Sequence, residues 1–280
     1  MRHAANRIAV PPQPASFLPL ADQERLRRNA PLRDRHIGRR AFVLGTGPSL
    51  ALQNLAPLGG ELTFATNAFF SHPVLSQWRP TYYCAIDPAC FDGSEASNNY
   101  LRAIRDAGQG STFFVPLYYH APFPSVSLVE VEGLLPASRT HYLALGGDLE
   151  LGRTTDLDLT QLLPPFLTVV QAAVAVAIYM GCEDIYLMGL DHDWVARPAE
   201  NTHFYSPAEY TVAEVRDVAI LKATFRLARQ LDVMTQQWRG YALLDQVARA
   251  TRSRIWNATA GGFLDVFPRV DYAGLVASRT

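Results

Sequence analysis

Ala41-Phe42-Val43-Leu44-Gly45-Thr46-Gly47-Pro48-Ser49-Leu50 is the stretch that decides the fold. Four consecutive apolar residues are the pattern of a strand covered on both faces, as in a parallel sheet. The run enters a glycine turn. Pro48 then suits the first turn of a helix, where its missing N–H costs nothing. Strand, tight turn and helix in that order open a βαβ unit, and the rest of the chain repeats the theme.

Leu62-Thr63-Phe64-Ala65-Thr66 reads as a second strand ending at Asn67, and Tyr82-Tyr83-Cys84-Ala85-Ile86 as a third ending at Asp87-Pro88. A helix is expected over 94–107 and a fourth strand over 112–115. From Thr168 the apolar run through Ala177 reads as a buried helix that stops at Gly181. Asp184-Ile185-Tyr186-Leu187-Met188 is a strand feeding Gly189-Leu190-Asp191-His192-Asp193, and residues 253–256 form a last strand before Asn257-Ala258-Thr259. Strands alternating with helices imply an α/β, Rossmann-like, doubly wound and mostly parallel sheet with an inserted lid or subdomain. Residues 1–40 are an Arg/Pro-rich N-terminal extension with a short helix over 21–29, and 41–280 form one domain. Within it, 116–165 reads as an irregular insertion and 190–212 as a lid. Helices are expected over 207–232 and 243–251.

The bulk numbers fit one large globular domain. The chain has 280 residues, 49% hydrophobic and 18% charged, with a formal net charge of −1. Such a balance recruits neither nucleic acid nor an anionic membrane through a global field. Basic charge is carried almost wholly by arginine, Lys222 being the single lysine. Three cysteines, Cys84, Cys90 and Cys182, have neither disulfide-framework nor zinc-motif spacing. That usage suggests a reducing cytoplasm. The longest apolar stretch, 166–180, falls short of the ~20 residues a membrane span needs.

In a parallel α/β sheet, ligands collect at the carboxyl ends of the strands. Thr46, Asn67, Asp87, Asp191, Asp193 and Asn257 all interrupt apolar strands at that end. Around the glycine turn, Gly45 and Gly47 let a ligand approach the backbone, and free amides at the helix start attract phosphate. Pro48 and Ser49 complete the motif, with the Ser49 hydroxyl as a further donor. The tight-turn reading of the same residues needs no ligand. The missing third glycine excludes a dinucleotide fingerprint, and the absence of Gly-Lys-Ser/Thr excludes a Walker loop. Asn67 can meet a phosphate, ribose or base edge, or simply form an Asx turn. Asp87 can hold Mg²⁺ or a hydroxyl, or form an Asx-Pro turn. Asp191, His192 and Asp193 form the densest ionisable cluster and can supply a general base, a metal site or ribose ligands, or simply a solvated loop with Asp191 capping backbone amides. His203 is the best acid/base candidate by residue type, and Tyr205 beside it can donate to phosphate oxygens. Asn257 and Thr259 join the ligand-binding set. No metal site is specified; if a cation binds, Asp87 and Asp191 are its candidate ligands.

The glycine motif, the strand end at Asn67 and the island Ala177-Ile178-Tyr179-Met180-Gly181-Cys182-Glu183-Asp184-Ile185-Tyr186-Leu187-Met188-Gly189-Leu190-Asp191 resemble bacterial lipooligosaccharide sialyltransferases. Ile86-Asp87-Pro88 and Asn257-Ala258-Thr259-Ala260-Gly261-Gly262 are more similar to the motility accessory factors that glycosylate flagellin with nonulosonic acids. A similar domain occurs in the archaeal 6-hydroxymethylpterin diphosphokinase. The resemblance runs as short islands from about 40 to 268. It implies a Rossmann-like transferase whose donor substrate is a CMP-activated acidic sugar and whose acceptor is a glycan or glycoprotein. No cofactor is required, Mg²⁺ is left open, and so are a homo-oligomer and a place at the inner face of the membrane. In the sialyltransferases the glycine motif and the positions of Asn67 and Asp87 line the CMP site, lid tyrosines hold the phosphate, and a lid histidine is the base. This chain departs from that pattern: Thr46 and Asp87 stand where asparagines are usual, His203 matches the first of two lid histidines, and the second falls near Pro207. The alternatives are Mg²⁺-dependent pyrophosphoryl transfer from ATP to a pterin-like acceptor, and a non-catalytic nucleotide-binding module of a glycosylation assembly.

Overall fold

The computed structural model describes residues 14–119, 123–148, 151, 154–196, 203–205 and 227–277. Eight strands form one all-parallel sheet: β1 (Arg40–Leu44), β2 (Leu62–Thr66), β3 (Tyr82–Cys84), β4 (Thr112–Tyr119), β5 (Thr140–Leu145), β6 (Leu162–Leu163), β7 (Asp184–Met188) and β8 (Arg254–Asn257). Their spatial order is β6-β5-β4-β3-β2-β1-β7-β8. The chain winds outward from β1 to β6, crosses back, and places β7 on the other side of β1. β1 therefore sits at the point where winding reverses, paired with β2 in the register Val43↔Phe64 and with β7 in the register Val43↔Leu187. In this class of sheet that reversal opens a crevice beyond the strand ends.

Burial explains the unbroken apolar runs. Ala41 and Val43 pack into one core layer with Phe64, Ile185 and Leu187. Phe42 and Leu44 pack into the other with Ala65, Tyr83 and Met188. Helix α3 (Val169–Tyr179) belongs to the first layer, and all eleven of its residues are buried. A helix apolar all round has no other place to go. Thr168 and Gln171 start it with a reciprocal capping box, which satisfies amides that burial would otherwise strand. Helix α2 (Glu95–Ala107), capped by Ser94, covers the second layer with Tyr100, Leu101 and Ile104.

Three expectations are corrected. Residues 116–165 are not an irregular insertion. β4 runs on to Tyr119, and β5 and β6 extend the sheet by two parallel strands. The expected helices over 207–232 and 243–251 are, among described residues, one helix, α4 (Leu227–Ala250). Gly240 is mid-helix for a packing reason: a Cβ there would lie 2.5 Å from Gln171 Nε2, which donates to the Gln237 carbonyl at 2.7 Å. Residues 207–226 lie outside the described set. The helix expected over 21–29 is α1 (Leu20–Arg27), and the segment around it belongs to the core, since Leu18, Leu26 and Leu32 are buried. A short helix α5 (Tyr272–Ala277) follows β8. No described helix is long and apolar enough to cross a membrane.

Candidate functional site

The loops after β1 and β7 meet over the crevice. Gly45 N–H donates to the Met188 carbonyl and Gly47 N–H to the Gly189 carbonyl, both at 2.8 Å. Ser49 donates to Asp191 twice: its hydroxyl reaches Oδ2 at 2.9 Å and its amide reaches Oδ1 at 3.3 Å. The helix that Pro48 opens is a single five-residue 3₁₀ segment, Pro48–Leu52. This corrects the expectation of free amides at the turn. The anion at the start of that segment is the protein's own Asp191 carboxylate, 6% exposed. The glycines are needed for the same reason. A Cβ on Gly47 would lie 1.9 Å from Asp191 Oδ2, and one on Gly45 would lie 2.6 Å from the Gly189 carbonyl oxygen.

A cavity of ≈ 460 Å³ opens beside this clamp. Of the residues singled out in the sequence, Thr46, Gly47, Asn67, Asp87, Asp191, Asp193 and His203 line it. Its other wall is largely apolar, with Phe166 just before α3, Val169 and Val170 at its start and Val233 from α4, beside Thr168, Gln230 and Gln237. Gly45, Pro48, Ser49, Tyr205, Asn257 and Thr259 are not in the wall. Asn257 and Thr259 brace it instead. Asn257 is wholly buried, donating to the Leu264 carbonyl and accepting from Thr259 N–H, while the Thr259 hydroxyl receives Leu190 N–H at 3.1 Å. Gly262 N-terminal to Phe263 lets that segment press on the loop, since Phe263 N–H donates to the Asp191 carbonyl at 2.7 Å.

Asn67 carries two marks of a ligand site. Its backbone is left-handed at φ 44°, and its buried Oδ1 has no hydrogen-bond partner among the described residues. Tyr83 sets the turn: its hydroxyl donates to the Asn67 carbonyl at 2.6 Å and receives Phe70 N–H at 2.9 Å. Asp87 caps the 3₁₀ segment Pro88–Phe91 by accepting Ala89 N–H at 2.9 Å, so the Asx-Pro turn is real and the side chain also faces the cavity wall. His203 Nδ1 lies 3.1 Å from the Thr46 hydroxyl, and Phe204 N–H donates to the Thr46 carbonyl at 3.0 Å. That short piece of the lid region is thereby tied to the glycine turn, with the Tyr205 ring stacked on His203 at 4.9 Å. Residues 197–202 and 206–212 lie outside the described set. Asp191, named with Asp87 as a candidate cation ligand, is engaged by Ser49, and no group of three His, Cys, Asp or Glu gathers among the described residues.

His192, the middle member of the ionisable cluster after β7, also lines the wall. His192 has a left-handed backbone at φ 48°, and its Nε2 lies 2.7 Å from the Tyr241 hydroxyl on α4. The sequence marks it together with its two neighbouring aspartates but not its partner, which lies 49 residues away. Burial pushes the His192 imidazole down to about 4, against the opposing pull of Asp193. The same physics raises two of the thiols, Cys84 and Cys182, the latter to about 12, and makes these two poor nucleophiles. Burial also lowers His141, to about 4. The sign of the pH effect follows. Above pH ~6.5 both histidines are neutral whether folded or not. Between there and about 4 the unfolded chain binds protons that the folded one refuses, so stability falls on acidification. Thermal melts should be level above pH 7 and drop steadily below 6.5; a melting temperature that rises on acidification contradicts this.

No protein-family model matches the chain, and no curated protein matches it. Among solved structures it is similar to a MAf glycosyltransferase from Magnetospirillum magneticum, at 12% identity and TM-score 0.46. The likeness covers 90% of this chain, which spans 38% of that longer protein. It is similar as well to the sialyltransferase CstII from Campylobacter jejuni in complex with cytidine-5'-monophosphate, at 12% identity and TM-score 0.47 over 84% of this chain and 85% of that one. The same enzyme in complex with CMP-3FNeuAc gives 11% identity and TM-score 0.49, over 83% and 86% of the two chains. Likeness of this degree says nothing about activity.

Proposed function

We propose that the protein is a glycosyltransferase that moves an acidic sugar, a sialic acid or another nonulosonate, from a CMP-activated donor to a glycan or protein acceptor. The observation that carries this reading is the convergence at the β1/β7 reversal. Thr46, Asn67, Asp87 and Asp193 come from four separate strand ends into one cavity, and the buried Oδ1 of Asn67 has no hydrogen-bond partner among the described residues. An orphaned buried carbonyl oxygen costs stability unless a ligand N–H or O–H meets it. The amino edge of a cytosine or a ribose hydroxyl supplies that proton. Thr46, Gly47, Asn67 and Asp191 of this wall belong to the sequence motifs that resemble the sialyltransferases.

Because Asp191 occupies the Ser49 amide and hydroxyl, the donor phosphate is not held there. It is placed against the Thr46 hydroxyl, whose partner His203 fixes its orientation. The leaving CMP would develop charge at that point, where preorganised donors act with little reorganisation. The apolar wall excludes water, which would otherwise hydrolyse the donor. Isothermal titration with CMP, CDP, ATP and NAD tests the reading. Cytidine nucleotides should bind best. A preference for ATP, or no heat with either cytidine nucleotide, removes it.

A further inference from the structure

His192 is held in the cavity wall from a second element. Its ring packs against Trp238 at 5.7 Å and Tyr241 at 5.4 Å between centroids. The Tyr241 hydroxyl, wholly buried, bridges His192 Nε2 at 2.7 Å and Thr168 Oγ1 at 3.3 Å. Thr168 Oγ1 also accepts Gln171 N–H, so this chain of hydroxyls ends on the cap of α3. His192 and Thr168 both line the cavity. The left-handed backbone at His192, rare for a residue with a Cβ, aims the ring and is held by Tyr241 from another element. With Nε2 engaged, Nδ1 is the ring nitrogen left for a ligand. The other wall groups have different work: Asp191 secures Ser49, and His203 meets Thr46.

We propose that His192 is a catalytic residue, the general base that accepts the acceptor hydroxyl's proton on Nδ1, and that Tyr241 and Thr168 are its positioning residues. This assignment rests on the glycosyltransferase reading above. In the step, the acceptor oxygen forms a bond to the anomeric carbon as its O–H bond breaks, and the proton passes to Nδ1. The bond from the anomeric carbon to the CMP phosphate oxygen breaks, and its electron pair leaves on the phosphate. Nε2–H donates to the Tyr241 oxygen, and Tyr241 O–H donates to Thr168 Oγ1, so the imidazolium that forms is hydrogen-bonded. The groups acting on this imidazole are Tyr241 from α4 and Asp193 from its own loop. Burial keeps it in the neutral form a base must start from across the physiological range.

The test is turnover of CMP-activated sialic acid by the full chain, with water or a glycan as acceptor, alongside calorimetric binding of CMP. His192→Asn keeps a residue tolerant of the left-handed backbone. It should lower kcat by about 10²–10⁴-fold while the Kd for CMP stays within threefold, read as roughly unchanged. Tyr241→Phe keeps the ring packing and should lower kcat by about 10-fold, the worth of one hydrogen bond to a charged group. The wild-type kcat/KM should show no acid limb near pH 6.5, the limb lying below pH 5. A folded His192→Asn protein with wild-type kcat, or a wild-type limb near 6.5, overturns the assignment and leaves the glycosyltransferase reading standing. A wild-type protein that turns over no CMP-activated acidic sugar removes that reading, and this assignment with it. Should His192→Asn not fold, Tyr241→Phe and the pH profile decide.

Discussion

Gly47→Ala is expected to lower the melting temperature by on the order of 10 °C, before any effect on ligand is measured. The added methyl would sit 1.9 Å from Asp191 Oδ2 and 2.6 Å from the Gly189 carbonyl oxygen. Overpacking of this kind costs about 1–3 kcal/mol. Pushing the carboxylate away also strands the Ser49 amide and hydroxyl, each worth about 1–3 kcal/mol when left unsatisfied. Together these consume much of the roughly 5–15 kcal/mol that holds a domain folded. A double-mutant cycle identifies the cause. In an Asp191→Ala background the same substitution should cost less, because its nearest clash is gone while the contact with Gly189 remains. If the turn existed only to admit a phosphate, Gly47→Ala would leave the melting temperature alone and weaken nucleotide binding. Equal costs in the two backgrounds would likewise reject the clamp.

This turn also shows what the sequence could and could not disclose. Parallel strands buried on both faces are mostly apolar, so β1 and β7 run apolar after their first residue, β2 departs only at the buried Thr63 and Thr66, and their limits read off almost residue by residue. β5 opens with Thr140-His141-Tyr142 and β6 has two residues beside Pro164-Pro165. At a sheet margin the pattern weakens, and the stretch looks irregular. α4 spans the gap expected between 232 and 243, where the mid-helix Gly240 makes room for Gln171. The polar strand ends were legible as a set, since topology alone sends them to one rim. Their partners were not. Asp191 engages Ser49 across 142 residues and His192 engages Tyr241 across 49. No local periodicity encodes which distant side chain will fill a given turn. The motif Gly45–Ser49 therefore reads the same whether its anion is a ligand or a carboxylate of the fold.

Asn67 supplies the sharper separation of binding from folding. Asn67→Gly should leave the melting temperature unchanged or slightly raised while weakening CMP binding by about 10–100-fold. At φ 44° the backbone is in the left-handed region, which glycine enters without penalty. The buried Oδ1 without a partner costs the ligand-free protein about 1–3 kcal/mol, and glycine removes that atom. Against these gains stands the extra freedom of glycine in the unfolded chain, about 0.5–1 kcal/mol. The balance favours the variant's fold and costs only what the side chain does for a ligand. A residue kept merely to cap a turn would behave in the opposite way, with stability falling on substitution and nucleotide affinity untouched. Thermal melts of the ligand-free variant, paired with calorimetric titration of CMP, distinguish the two. A destabilised Asn67→Gly that binds CMP like the wild type would show that the orphan oxygen is incidental and would take away the observation on which the nucleotide site rests.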